Sequence, residues 1–274
     1  FSHTEDPGNV HRVAIVGELD EVTLGTIKEL VNNFEKGHIL ETFNNLVETA
    51  RAYVGYWKEH GRYTHSSTKT PDEISAEVEG IALRVGEGAT ISEVQTAITA
   101  IENIIGGFDI EEITPGFYNF VNYEYNDEGE YLSDDISNNG TQRILTTTTT
   151  TTTTEVSAKN IFYYDGTTLI AYASGYGFEY GICNTGTPGK MNTFEFGMAN
   201  ELGMYTVKSD DGTSEKGWAD RYWKNKGNKE LDFVGADDPA NASGWDIVKI
   251  TTLPVTVSSV GYATLYAPVA LEIP

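Results

Sequence analysis

The segment Trp218-Ala219-Asp220-Arg221-Tyr222-Trp223 places three aromatic rings, a carboxylate and a guanidinium within six residues, with Asn225 just beyond. Sugars present apolar C–H faces ringed by hydroxyls. An indole or phenol face complements the first, and Asp, Arg or Asn side chains hydrogen-bond the second. Trp218, Asp220, Arg221, Tyr222, Trp223 and Asn225 are therefore the candidate ligand-binding residues, with a glycan or glycoprotein as partner. The same pattern also fits a strand that turns Tyr222 and Trp223 into a core while Trp218 covers a loop. Trp245, in the strand-like run Trp245-Asp246-Ile247-Val248, is assigned to the core.

Other chemistry is poorly provided for. His3, His11, His38, His60 and His65 all precede residue 66, so the C-terminal half has no imidazole of its own for a Ser-His-Asp triad. No His-Glu-x-x-His, phosphate-binding loop or dinucleotide fingerprint is present. Cys183 is the only cysteine, which excludes an internal disulfide and a cysteine-rich zinc site. It reads as a small buried hydrophobe or a reactive thiol. Paired carboxylates can hydrolyse glycosides, but among 41 acidic residues pairs approach by chance, and none is singled out. Asp109, Glu111 and Glu112 fit a solvated linker. Asp210-Asp211-Gly212 with Glu215, and Asn126-Asp127-Glu128-Gly129-Glu130, offer oxygen ligands for calcium without EF-hand spacing, and read equally as polar turns. Asn139-Gly140-Thr141 and Asn241-Ala242-Ser243 match the N-glycosylation pattern. No catalytic residue, metal or cofactor is expected.

The chain has 274 residues, 39% of them hydrophobic and 22% charged, which suits packed domains and excludes wholesale disorder. A net charge of −23 repels phosphate backbones, so nucleic acid is not an expected partner. No run of about 18 apolar residues occurs, so no membrane-spanning helix is expected. The first residue, Phe1, fits a processed signal peptide or an excised fragment. The strand-like stretch 262–273 ends at Pro274, which leads us to expect a longer parent chain.

The positioning elements change character near Ile110. Residues 1–12 read as a loose lead-in. Leu24, Ile27, Val31 and Phe34, then Leu40, Phe43, Leu46, Val47, Ala50, Tyr53, Val54 and Trp57, follow helical spacing, with Gly37 as a kink or cap. Thr70, Pro71 and Glu73 make a complete helix start, and Thr90 with Glu93 makes a second. Ile74, Val78, Ile81 and Val85, then Ile91, Val94, Ile98, Ile101 and Ile105, supply the apolar stripes, separated by Gly86-Glu87-Gly88. Antiparallel helices result, as a hairpin or a small three- or four-helix bundle whose stripe is its own core or a coiled-coil partner surface.

Past Thr114-Pro115-Gly116 the period is two. Strands are expected at 117–121, 130–133, 143–145, 160–164, 169–173, 176–180, 193–197, 204–208, 221–223, 230–234 and 245–250, with a hairpin turn at Asp165-Gly166. Nine threonines at 146–154 favour extended chain, as a strand with hydroxyls on both faces or a surface loop; glycan attachment or ice-like recognition are further readings of the array. Many short strands at near-regular spacing indicate a sandwich or barrel.

Three phrases carry a resemblance. Gly116-Phe117-Tyr118-Asn119-Phe120-Val121-Asn122, the run 160–172 (Asn-Ile-Phe-Tyr-Tyr-Asp-Gly-Thr-Thr-Leu-Ile-Ala-Tyr) and Ser243-Gly244-Trp245-Asp246-Ile247 resemble ricin-B-like β-trefoil modules of secreted and surface proteins of gut Bacteroidetes. The tail containing Leu253-Pro254-Val255 and Gly261-Tyr262-Ala263 is similar to a segment that opens a further β domain after such modules. The resemblance covers about 115–274. Ricin-type lectins carry Gln-x-Trp in each lobe; here glutamine occurs only at 95 and 142, so no lobe-by-lobe sugar site carries over.

The expected architecture is α+β and multidomain. Residues 1–109 form a helical hairpin or bundle, 110–250 a β-trefoil-like module, and 251–274 the start of a further β segment. The resemblance implies an extracellular or cell-surface, non-catalytic binding module, lectin-like, within a larger surface or secreted protein. Three other readings stay open: a structural or adhesive spacer, an accessory region of a glycoside hydrolase, and an enzyme in which a cleft between the helices and the trefoil unites the N-terminal histidines with carboxylates.

Overall fold

A computed structural model describes residues 3–4, 12–13, 21–86, 88–136, 143–146, 157–178, 191–210 and 220–254. Helices come first and mostly antiparallel β-sheets follow, so the class is α+β. The chain forms two units: Phe1–Val54 with Lys69–Gly107, and Gly55–Thr68 with Phe108–Pro274. Trp218, Cys183, the Asn139 acceptor triplet, residues 211–215, threonines 147–154 and the tail 255–274 lie outside the described residues.

The first unit contains the paired strands β1 (His3–Thr4) and β2 (Arg12–Val13), most of α1 (Glu21–His60), and α2 (Pro71–Arg84) and α3 (Ile91–Ile105). Both expected helix starts form. The Thr70 hydroxyl accepts from Glu73 N at 3.4 Å while the Glu73 carboxylate accepts from Thr70 N at 2.7 Å. Thr90 and Glu93 repeat this at 3.3 and 2.7 Å. Each box satisfies amides that a helix start leaves without an internal partner. Phe43, Val47, Ala50 and Val54 of α1, Ile74, Val78 and Ile81 of α2, and Val94, Ala97, Ile101 and Ile104 of α3 are buried. Each large side chain so removed from water contributes about 1.5–3 kcal/mol. Arg51 of α1 forks onto both carboxylate oxygens of Glu79 in α2, at 2.7 Å each, and reaches Glu48 at 2.6 Å.

Two expectations for α1 need correction. The helix runs through Gly37 without a break, continuous from Glu21 to His60. The stripe does not begin its burial at Leu24: Leu24, Val31 and Phe34 are 39, 37 and 59% exposed, and Phe43 is the first buried residue of the helix.

The second unit begins with the last residues of α1 and strand β3 (Tyr63–His65), which pairs β4 (Phe108–Ile110). The Tyr63 hydroxyl accepts from Gly203 N at 2.6 Å, the Tyr56 ring packs against Gly203, and Arg62 forms an ion pair with Asp246. Ten strands follow: β5 (Gly116–Asn122), β6 (Glu130–Ile136), β7 (Arg143–Thr146), β8 (Phe162–Tyr164), β9 (Leu169–Ala171), β10 (Thr193–Met198), β11 (Tyr205–Asp210), β12 (Arg221–Asn225), β13 (Leu231–Val234) and β14 (Asp246–Ile250).

Strand β5 is the hub. One edge pairs β14 from Phe117 to Val121; the other pairs β8 through its first half and β6 at its end. β8 pairs β9, Phe194 N of β10 donates to Thr167 O beside β9, β10 pairs β11, and Tyr205 of β11 exchanges two 2.8 Å bonds with Trp245 beside β14. The path thus returns to β5. The β8–β9 turn is the expected one: Gly166 has φ +101°, and the Asp165 carboxylate accepts from Thr167 N and Thr168 N. This left-handed conformation suits glycine alone among common residues.

One local arrangement occurs three times. The carbonyl of a buried large apolar residue accepts from a buried small polar residue that precedes a buried ring by two positions; the donor is the side-chain amide in the first set and the backbone N in the other two. The sets are Leu132, Asn160, Phe162; Phe178, Asn192, Phe194; and Trp223, Ser243, Trp245. They meet around Trp223, whose ring lies 5.5–5.6 Å from those of Phe120, Phe178, Phe194 and Trp245. Such ring pairs add about 0.5–1.5 kcal/mol each beyond their burial. Arg143 is wholly buried beside this cage. It pairs with Asp134 at 2.7 Å, donates to Gly177 O at 3.0 Å and stacks 4.3 Å from the Phe178 centroid. Burial pushes its pKa down and Asp134 opposes that.

Two outcomes follow. Hydrogen bonds from Thr70 and Thr90 hold the Glu73 and Glu93 carboxyls below their ordinary value of 4.5. A lowered folded-state pKa contributes stability above the ordinary value that is lost as pH falls through the folded one. Replacing both by Gln keeps the boxes and flattens the acid-side fall in helical stability, read by circular dichroism. Arg143→Ala leaves Asp134 without its partner and costs about 3–5 kcal/mol in urea unfolding; a loss below about 1 kcal/mol would show that the guanidinium is not needed.

Candidate functional site

The expected aromatic segment is dispersed by its own strand alternation. Trp223 and Asn225 point inward on β12 and are fully buried, so neither offers a face to a ligand. This corrects the expectation for those two residues: the apolar side of β12 is needed for the ring cage. Tyr222 and Arg221 are half-buried between Lys208 and Val234 and beside Ser209. Asp220 is half-exposed with φ +53° and pairs with Lys208 at 2.8 Å, a hydrogen bond that raises the lysine pKa to about 12. Asp220, Arg221 and Tyr222 therefore remain at the surface side of the segment.

The structure assembles a different cluster around Asn225. Its side-chain amide donates to Asn122 Oδ1 at 2.7 Å and to the buried Glu130 carboxylate at 2.6 Å; its backbone N donates to Ser243 Oγ at 2.9 Å; its side-chain oxygen Oδ1 accepts from Gly227 N at 2.9 Å. Ser243 Oγ in turn donates to Glu124, and Lys224 donates to Glu124 at 2.6 Å. Asn122 closes the network on Gly244 O at 2.8 Å. Satisfied buried polar groups of this kind fix one geometry, because leaving any one unpaired costs about 1–3 kcal/mol.

On this base sit two turns from opposite ends of the β region, residues 123–129 and 226–229. Asn126 shapes the first, its side chain accepting from Glu128 N at 3.1 Å and its carbonyl from Gly129 N at 2.8 Å. Asn228 shapes the second, accepting from Glu230 N at 3.1 Å. Gly227, at φ +77°, lies under the face of the Tyr125 ring: a Cβ there would stand 3.1–3.3 Å from Cγ, Cδ1 and Cε1 together. Tyr125 is 54% exposed. Its ring is thus backed on one side by backbone, and the two turns that carry it also hold the polar residues Glu124, Asn126, Lys226 and Asn228, with Lys226 paired to Asp232 at 2.6 Å. Aromatic carbon beside several polar groups can hold a small polar molecule that has one apolar face.

Sequence reading passed over Tyr125. Residues 126–130 and 225–228 were each legible as polar turns, with glycines as the signal, but their meeting rests on long-range contacts such as the β5–β14 pairing and the Leu145 N to Lys229 O bond of 2.8 Å. His65 Nδ1 lies 2.8 Å from Ser67 Oγ and accepts from Ser67 N, a local turn, and His60 is a surface residue near Glu59. Groups of three or more His, Cys, Asp or Glu that could hold a metal are absent among the described residues. No described helix is long and apolar enough to cross a membrane. No protein-family model, curated protein or solved structure matches the chain.

Gly227→Ala forces a strained φ and pushes on the Tyr125 ring. It lowers stability by about 1 kcal/mol or more and shifts the Tyr125 ring resonances; unshifted resonances would remove Gly227 as the backing of the ring.

Proposed function

We propose that the second unit is a β-trefoil acting as a non-catalytic carbohydrate-binding module, ricin-B-like and lectin-like, in a larger extracellular or cell-surface protein. The closed path β5–β8–β9–β10–β11–β14 supports the trefoil, since six strands that alternate in this order make a barrel from three four-strand lobes. The threefold recurrence of buried apolar residue, small polar residue and ring supports it independently. The likeness of residues 116–122, 160–172 and 243–247 to such modules supports the extracellular setting.

The observation that carries the binding reading is the half-exposed Tyr125 ring fixed on Gly227, on two turns rich in polar residues. A sugar C–H face can stack on the ring while its hydroxyls reach Glu124, Asn126, Lys226 and Asn228. Asp220, Arg221 and Tyr222, with Trp218 outside the described residues, form a second candidate patch. The competing reading is a structural spacer, favoured by the complete burial of Trp223 and Trp245. In that reading the aromatic wealth serves packing alone.

A glycan-array screen of the purified chain separates these. Tyr125→Ala, with unfolding unchanged, is expected to weaken binding at least about tenfold, equivalent to about 1.4 kcal/mol, while Trp218→Ala reports on the second patch. A blank array would favour the spacer.

A further inference from the structure

We infer that the Tyr125 site takes neutral sugar residues at chain ends and rejects glycans that end in carboxylate or sulfate. This rests on the carbohydrate-binding reading above and adds the ligand class.

The first argument is shape. The platform is one ring on two adjoining turns. Its neighbour Tyr123, 38% exposed, also packs against a glycine of positive φ, Gly129, but within its own turn and not on the 226–229 turn. A single platform matches one sugar ring, and turn tips favour the free end of a glycan over its interior.

The second argument is charge. Residues 123–129 and 224–232 carry five carboxylates (Glu124, Asp127, Glu128, Glu230, Asp232) and three ammoniums (Lys224, Lys226, Lys229). Lys226, next to Gly227, and Lys224, three residues before it, are already neutralised by Asp232 and Glu124, each at 2.6 Å. Asp127 and Glu128 are exposed on the Tyr125 turn. An anionic ligand would meet uncompensated carboxylates there, with Lys229 as the one ammonium outside an ion pair. The net charge of −23 adds long-range repulsion. Hydroxyls face no such cost, because carboxylates and amide oxygens accept from them and ammonium and amide groups donate to them. Repulsion at exposed sites is screened over about 8 Å at physiological salt, so discrimination is expected to grow as salt is lowered.

The test uses the full chain on an array of neutral terminal sugars (glucose, galactose, mannose, N-acetylglucosamine, fucose) beside sialylated and sulfated counterparts, at about 0.02 and about 0.5 M salt. Tyr125→Ala and Tyr125→Trp, each checked by thermal unfolding, accompany it. The expected result is binding confined to neutral ends, nearly independent of salt, lost in Tyr125→Ala and kept or strengthened in Tyr125→Trp. Equal or tighter binding of anionic counterparts that Tyr125→Ala abolishes would overturn the ligand class and leave the carbohydrate reading standing. Neutral binding that survives Tyr125→Ala would overturn the site. No binding to any probe would remove the carbohydrate reading itself.

Discussion

The β5–β14 pairing is the contact on which the second unit depends. It joins the first strand after Thr114-Pro115 to the last described strand, and it closes a path that otherwise has two open edges. An open edge exposes unpaired amides and carbonyls and invites pairing with other chains. Closure also brings Asn122 to Gly244 and to Asn225, Glu124 to Ser243 and Lys224, and Tyr125 to Gly227. The ring cage and the candidate site thus share this pairing: the inner face of β12 packs into the ring cage, and the turns beside it meet at the surface.

Much of the local structure was legible because it is set by near neighbours. The two capping boxes needed only Thr, Glu and their spacing of three. The Asp165-Gly166 turn needed a residue that tolerates positive φ and a carboxylate to accept two amides. Strand positions followed from alternation. The class α+β followed from the change of period near Ile110.

What could not be read was partnership at a distance. Helical spacing at Leu24, Ile27, Val31 and Phe34 states that a face is apolar; it does not state that anything covers that face. The segment 218–225 showed rings beside polar groups, and only the three-dimensional cage decides that Trp223 belongs inside. Asn225 looked like a ligand group because asparagine is polar, yet its four hydrogen bonds are all internal. The Tyr125 platform combines two turns far apart in the chain, each of which alone reads as an ordinary surface loop.

The long first helix has a consequence for its own melting. From Phe43 onward α1 is anchored by buried side chains, whereas residues 21–42 are all exposed or half-exposed. An isolated helix is limited by its costly first turn, and here the anchored portion supplies that turn, so the exposed portion grows from it one residue at a time. Its helical population therefore declines turn by turn toward Glu21, and cooling or heating lengthens or shortens the rod without a cooperative transition. The end of α1 that carries Leu24 and Phe34 behaves as a temperature-graded helix–coil boundary fixed at one end.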